Sequence, residues 1–301
     1  MTPLPIPFDR PVDLAGTMFP LRRGTGDPTT RIEGHVTWRT ARTADGPVTI
    51  RLAQTGPNLV AAEAWGPGAE AGLAAAPGLV GALDDDAGFD PSPHPVVAEA
   101  ARRSRVRLTC TPDVMPVLLA AICEQQVTGA EARRAWRGLV YATSSPAPLV
   151  PDGPPLVLPP DPERVWDLPS FTFHAIGLPA RRSAIVRDVA SRSVAVERLT
   201  DMRPDEARAW LLLLPGIGPW TAAETARLGL GDPDAISVGD YHLPNLVTWA
   251  LAGEPRGTDE RMLELLEPFR GQRGRVQRLL ESCPIRAPRY GPRTEVRAVE
   301  H

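Results

Sequence analysis

Two hydrophobic periods follow one another along this chain. Between residues 34 and 65, apolar and polar side chains alternate in the runs HVTWRTAR, VTIRLAQ and LVAAEAW, separated by Ala44-Asp45-Gly46-Pro47 and Gly56-Pro57-Asn58. Alternation with period two gives a strand one apolar face, and Asp-Gly between β-branched runs is a hairpin signal, so a small antiparallel sheet is predicted here. The stretch GPGAEAGLAAAPGLVGAL then reads as a helix, and residues 84–95, rich in Asp, Gly and Pro, as a connector.

Beyond the connector the period becomes helical, first in PVVAEAARRSR and VMPVLLAAICEQQV. Thr128 and Glu131 form a capping box in front of ARRAWRGLVYA, which fixes a helix start. Residues 144–162 carry repeated prolines, which fix φ and remove backbone donors, so an extended surface crossing is expected. Helices resume in ARRSAIVRDVASR, from Pro204 to Leu213, from Pro219, after Asp240, after Thr258 and in RVQRLLES. The pattern predicts an α+β chain that is mostly α-helical, with a sheet-rich unit over residues 1–92 and a helical unit over 93–301.

Composition narrows the chemistry. With 43% apolar and 23% charged residues in 301, the chain reads as an ordinary globular protein. It contains no run of about 18 apolar residues, and MTPLPIPFDRPVDL has neither the basic start nor the apolar centre of a signal sequence, so no membrane partner and a cytoplasmic location are expected. Cys110, Cys123 and Cys283 are too scattered for a Cys-x-x-Cys pair and too few for an iron–sulfur cluster, and no metal site is expected. All 33 basic residues are arginine, which excludes a lysine Schiff base. Net charge is −3, yet eight arginines and two glutamates lie between Arg270 and Arg297, while Asp84, Asp85, Asp86 and Asp90 make an acidic patch upstream. One face could therefore be basic on a slightly acidic protein; the arginine run reads either as a solvated helix face or as a phosphate-binding surface with Arg270 and Arg273 as candidate contacts.

Residues 211–221, LLLLPGIGPWT, join two helices through Gly216 and Gly218. Glycines at this spacing permit a sharp turn and a close backbone approach, and the following helix start offers free N–H groups, a phosphate-binding device needing no positive side chain. A plain αα-turn with a glycine cap is the other reading. Asp240 follows 240 − 218 = 22 residues after the second glycine, where it would also cap the helix YHLPNLVTWAL.

The hairpin string resembles the helix-hairpin-helix motif, found both in proteins that only grip DNA and in base-excision glycosylases, where a catalytic aspartate follows at about this distance. Gln125 and Gln126 in EQQVT resemble that family's duplex-inserting turn, and residues 177–183, GLPARRS, its approach to the hairpin. Trp220 stands where lyase-competent members carry lysine and where the AlkA-type alkyladenine glycosylases carry tryptophan. The resemblance covers roughly residues 96–280. It implies a core of two helical lobes and a monofunctional enzyme that flips a damaged, alkylated purine out of duplex DNA, cuts its N-glycosidic bond and leaves an abasic site.

In that scheme Asp240 stabilises the oxocarbenium-like sugar and orients water, and the Trp220 face stacks on the cationic base. Glu224, Tyr241, His174 and Phe173 would line the pocket, although by their residue types alone core packing is the favoured account of the aromatics and an ion pair that of Glu224. Gln125 and Gln126 would form the wedge, and Gly216, Ile217, Gly218 and Thr221 would hold phosphate. The resemblance implies no cofactor beyond a monovalent cation bridging the hairpin to a phosphate, no protein partner, a monomer, and association with the nucleoid when bound to DNA. Three departures stand out: Glu224 replaces an aromatic, Gln126 an apolar wedge, and FRGQR at 269–273 lacks a second aromatic. They leave open a glycosylase for uracil, oxidised or deaminated bases, and a damage-binding protein without chemistry.

Overall fold

The computed structural model describes residues 2–288, so Arg289, Arg293 and Arg297 of the arginine-rich run lie outside the described residues. Five antiparallel strands, β1 (Leu4–Pro7), β2 (Thr30–Glu33), β3 (Val36–Thr43), β4 (Gly46–Gly56) and β5 (Leu59–Trp65), pair in the order β1-β5-β4-β3-β2. The last three are the alternating runs. The other two, unforeseen, are four-residue edge strands. β1 reads Leu-Pro-Ile-Pro, and an edge tolerates the missing donors of its prolines.

Val48, Ile50 and Leu52 of β4 and Val60, Ala62 and Ala64 of β5 make the apolar face. It packs against Leu14 and Met18 of α1 (Leu14–Met18) and Ala76 and Leu79 of α2 (Ala69–Leu79). The same buried cluster takes in Val117 and Leu228, so the sheet unit rests on two helices of the following unit.

Those helices belong to α3 (Pro95–Arg103), α4 (Met115–Glu124), α5 (Gly129–Thr143), α6 (Pro162–Asp167), α7 (Ser170–Ala175), α8 (Ala180–Ser191), α9 (Ser193–Glu197), α10 (Pro204–Leu211) and α11 (Pro219–Gly229). α12 (Leu243–Ala252), α13 (Asp259–Leu266) and α14 (Arg273–Ser282) complete the set. α4 is apolar all round and is buried from Met115 to Cys123, forming the axis of one lobe with α5, α8 and α11. Val97, Val247, Met262, Leu266, Val276 and Leu280 make the core of the second lobe, between α3 and α12–α14. The capping box at α5 is present, with Glu131 Oε2 accepting from Thr128 N at 2.9 Å. α10 stops two residues short of the expected Leu213, because the Leu213 and Leu214 N–H groups turn back to the carbonyls of Trp210 and Leu211. Among the described residues no helix is long and apolar enough to cross a membrane.

The expected separation of an acidic patch from a basic face is corrected by the fold. Arg275 donates to both oxygens of Asp84, at 2.9 and 2.7 Å, and Asp86 pairs with Arg10 and Arg107. Arg270 is paired with Glu267 and Arg273 with Asp234, while Arg278 is buried against the Gly16 carbonyl. Charges distant in sequence thus neutralise one another in space.

Candidate active site

The hairpin is built by two glycines with different tasks. Gly216 has φ +81°, and a Cβ there would lie 2.5 Å from Ile185 Cδ1, so both backbone and packing demand glycine. Gly218 is extended at φ −93° and needs no such licence, but a Cβ would meet nothing within 4 Å, which leaves its backbone open to approach. It is followed by α11, whose first turn has no side-chain cap and therefore presents N–H groups outward. Ile217, expected to serve the same purpose, is instead a buried plug whose N–H donates to Leu214 O.

Gln125 and Thr221 also take other tasks than those expected. Gln125 Nε2 donates to Gly216 O at 3.1 Å and to Thr221 Oγ1 at 2.9 Å, so it clamps the hairpin, and the buried Thr221 hydroxyl is its anchor. Gln126, by contrast, is exposed in a left-handed conformation at φ +53°. Anchoring one glutamine turns the next one outward.

Trp220 and Asp240 come together. Trp220 Nε1 donates to Asp240 Oδ2 at 3.0 Å, while Oδ1 accepts from His242 N at 2.7 Å and Leu243 N at 2.8 Å. Asp240 therefore caps α12 with one oxygen and faces the indole with the other. Its turn is closed by Asp240 N donating to Ser237 O, and Gly239, at φ +89°, donates its N–H to the carboxylate of Asp259. Tyr241 is 81% exposed beside it, edge-on to His242. Both oxygens of the half-buried carboxylate are oriented before any ligand arrives.

Glu224 supports this turn from below. Its Oε1 accepts from Ser237 Oγ and from Arg227 Nη2, the latter at 2.8 Å. Arg227 also bonds Glu281, and Gln277 Nε2 bonds Ser237 Oγ and Glu281, closing a buried polar network across α11, α14 and the turn. Burial opposes ionisation of Glu224, but the Arg227 guanidinium and the Ser237 hydroxyl together outweigh it and bring the carboxyl below its ordinary value. The pocket-lining expectation is corrected to the ion pair, since these carboxylate oxygens are already engaged. Phe173 is likewise corrected: it is fully buried in the core with Arg187 over its ring, whereas His174 is exposed one residue on.

Ser237, Gln277 and Asp259 were not singled out by sequence, and only the Gly239 turn beside the aspartate hinted that something must pin it. Arg270 and Arg273, expected to contact phosphate, are held by carboxylates at 2.7 and 2.5 Å. Among the described residues no group of three or more His, Cys, Asp or Glu side chains could hold a metal ion.

No family model matches the chain. A segment of 61 residues is 44% identical to the probable bifunctional transcriptional activator/DNA repair enzyme AlkA of Mycobacterium tuberculosis, which is 20% of this chain and 12% of that protein's length. In structure the chain is similar to the 3-methyladenine DNA-glycosylase from Archaeoglobus fulgidus, with a TM-score of 0.77, 16% identity, and 92% of this chain and 97% of that one covered. It is also similar to the Clostridium acetobutylicum 8-oxoguanine glycosylase/lyase in complex with DNA, with a TM-score of 0.68, 13% identity and 91% of each chain covered. The α+β fold of this chain, with its hairpin between α10 and α11, is the fold of the helix-hairpin-helix DNA glycosylases.

Proposed function

We propose that the protein is a monofunctional DNA glycosylase that hydrolyses the N-glycosidic bond of damaged, alkylated purines in duplex DNA. The observation that carries this reading is the fixed carboxylate of Asp240, hydrogen-bonded to Trp220 Nε1 at 3.0 Å and set 22 residues after the second hairpin glycine. As the bond from C1′ to the base breaks, its electron pair leaves with the base and positive charge grows on the sugar. A carboxylate held beside the sugar stabilises that charge and orients the water that adds to C1′. A base alkylated on a ring nitrogen is already cationic and departs without a strong general acid, so one carboxylate suffices. The Trp220 face can stack on the flipped base while its edge holds Asp240, and Gln126 would occupy the space the nucleotide leaves.

Hairpin N–H groups would grip the phosphate backbone. The Leu214 and Gly216 carbonyls each accept one hydrogen bond and keep a second lone pair, so they fit a monovalent cation, which would supply positive charge toward a phosphate. Such an enzyme would work as a monomer in the cytoplasm, at the nucleoid. The chain has no lysine, so the amine-dependent lyase step has no side-chain nucleophile and abasic sites should be left intact. Borohydride should trap no covalent adduct with DNA.

The direct test is chromatography of bases released from methylated DNA by the wild type and by Asp240→Asn. The expected result is release by the wild type and a loss on the order of 1,000-fold in the variant, comparable to removing a key electrostatic group elsewhere. DNA binding by both proteins with no base released by either would overturn the alkylated-base assignment and leave a glycosylase for another lesion or a damage-binding protein without chemistry.

A further inference from the structure

A second charged pair stands near the candidate base site and is used by none of the steps above. Arg23 Nη1 donates to Glu124 Oε1 at 3.0 Å, linking the loop before β2 to the last residue of α4. Both are sheltered, with side chains 10% and 29% exposed. The next residue, Gln125, is bonded to Thr221, which itself follows Trp220, so Glu124 abuts the first turn of α11. Both Arg23 and Glu124 are close enough to Glu224 for their charges to act on it.

The pair is rigidly mounted. Arg23 N donates to Asp27 Oδ2 at 2.6 Å, and the buried Asp27 also accepts from Thr29 and from Trp136 Nε1. Glu224 is saturated by Arg227 and Ser237, whereas among the described residues Glu124 accepts a hydrogen bond at Oε1 only. Its Oε2 is left for a donor.

We infer that Glu124 and Arg23 are specificity-determining residues that read the polar edge of a flipped, guanine-derived base. This assignment rests on the glycosylase reading. A guanine edge offers two adjacent donors, N1–H and the N2 amino group, beside the acceptor O6, which matches a carboxylate next to a guanidinium. An adenine-derived edge turns an N1 lone pair toward the carboxylate and keeps a single amino group, so one attraction becomes a repulsion. Burial raises the Glu124 carboxyl above its ordinary value despite Arg23. Two donors from the base would offset that desolvation in the bound state.

Methylated DNA contains both 7-methylguanine and 3-methyladenine, so one digest tests the assignment under single-turnover conditions. In Glu124→Gln, release of 7-methylguanine should fall on the order of 10- to 100-fold, the value of hydrogen bonds to a charged group, while release of 3-methyladenine changes less than about threefold. Arg23→Gln should shift the ratio in the same direction, and both variants should bind an abasic-site duplex as the wild type does. A ratio unchanged in Glu124→Gln, or an equal loss of both bases, overturns the edge-reading role while leaving the glycosylase intact. If the wild type releases neither base, the reading beneath the assignment falls with it.

Discussion

The hairpin and the arginine run before residue 288 both offer, in sequence, a place to hold phosphate, and folding treats them in opposite ways. The hairpin has no positive side chain of its own, yet it keeps an uncovered backbone at Gly218 and an uncapped helix start. The arginines carry the charge, yet Arg270, Arg273 and Arg275 each face a carboxylate. Charge counted along a chain says little about the field at a surface, because partners arrive from distant segments. Backbone geometry set by glycines close in sequence survives folding unchanged.

Four substitutions can break or sharpen this contrast. The largest effect is expected at Gly218, where a side chain fits without strain but would stand in the way of DNA. Gly218→Phe should weaken binding to an abasic-site duplex on the order of 100-fold, about 3 kcal/mol, with the melting temperature unmoved. In Gly216→Ala the pattern should invert, with a stability loss of about 1–3 kcal/mol from a positive φ and a Cβ forced onto Ile185, read by urea unfolding. If the two variants behave alike, the division of labour between the glycines is wrong.

Trp220→Phe comes next. It keeps a stacking face and removes the Nε1–H donor, so base release should drop on the order of 10-fold with abasic-site affinity retained, the net value of one hydrogen bond to a charged group. An unchanged rate would mean that the carboxylate needs only its helix-capping bonds.

The smallest effect is expected at Arg273→Gln. DNA affinity and its dependence on salt should stay as in the wild type, because Asp234 already occupies this guanidinium. A salt slope lowered by about 0.9 would instead reveal a phosphate contact. Acid stability offers a second readout. Although burial opposes its ionisation, hydrogen bonds from Arg273 and Gly271 bring the Asp234 carboxyl below its ordinary value. The pair therefore stabilises the fold above the unfolded value of about 4 and is lost as pH falls through the lower folded value. The variant should show less of this acid-range loss.

What sequence made legible was local. The Thr128 capping box, the glycine hairpin and the helix start after Asp240 each depend on residues within a few positions of one another. The edge strand β1 escaped because its two prolines argue against a strand unless one knows that it lies at an edge. Gln125 and Gln126 look equivalent in a string, and only the position of Thr221 shows which one is tethered. Glu224 could have faced a base or an arginine. Arg227, one turn away on the same helix, could be noticed in sequence, but Ser237, Gln277 and Glu281 could not be placed around it.

Because Asp240 Oδ1 accepts from the His242 and Leu243 amides, those two backbone protons are gauges of the carboxylate itself. Any opening that lets them exchange with solvent also releases the side chain from its position. Their exchange rates, followed with temperature, would give the fraction of molecules whose carboxylate is in place, without substrate or turnover. Heat inactivation should then track the fraying of the first turn of α12 and precede the melting of the α4 core. The resting protein thereby carries a readout of its own competence in its amide spectrum.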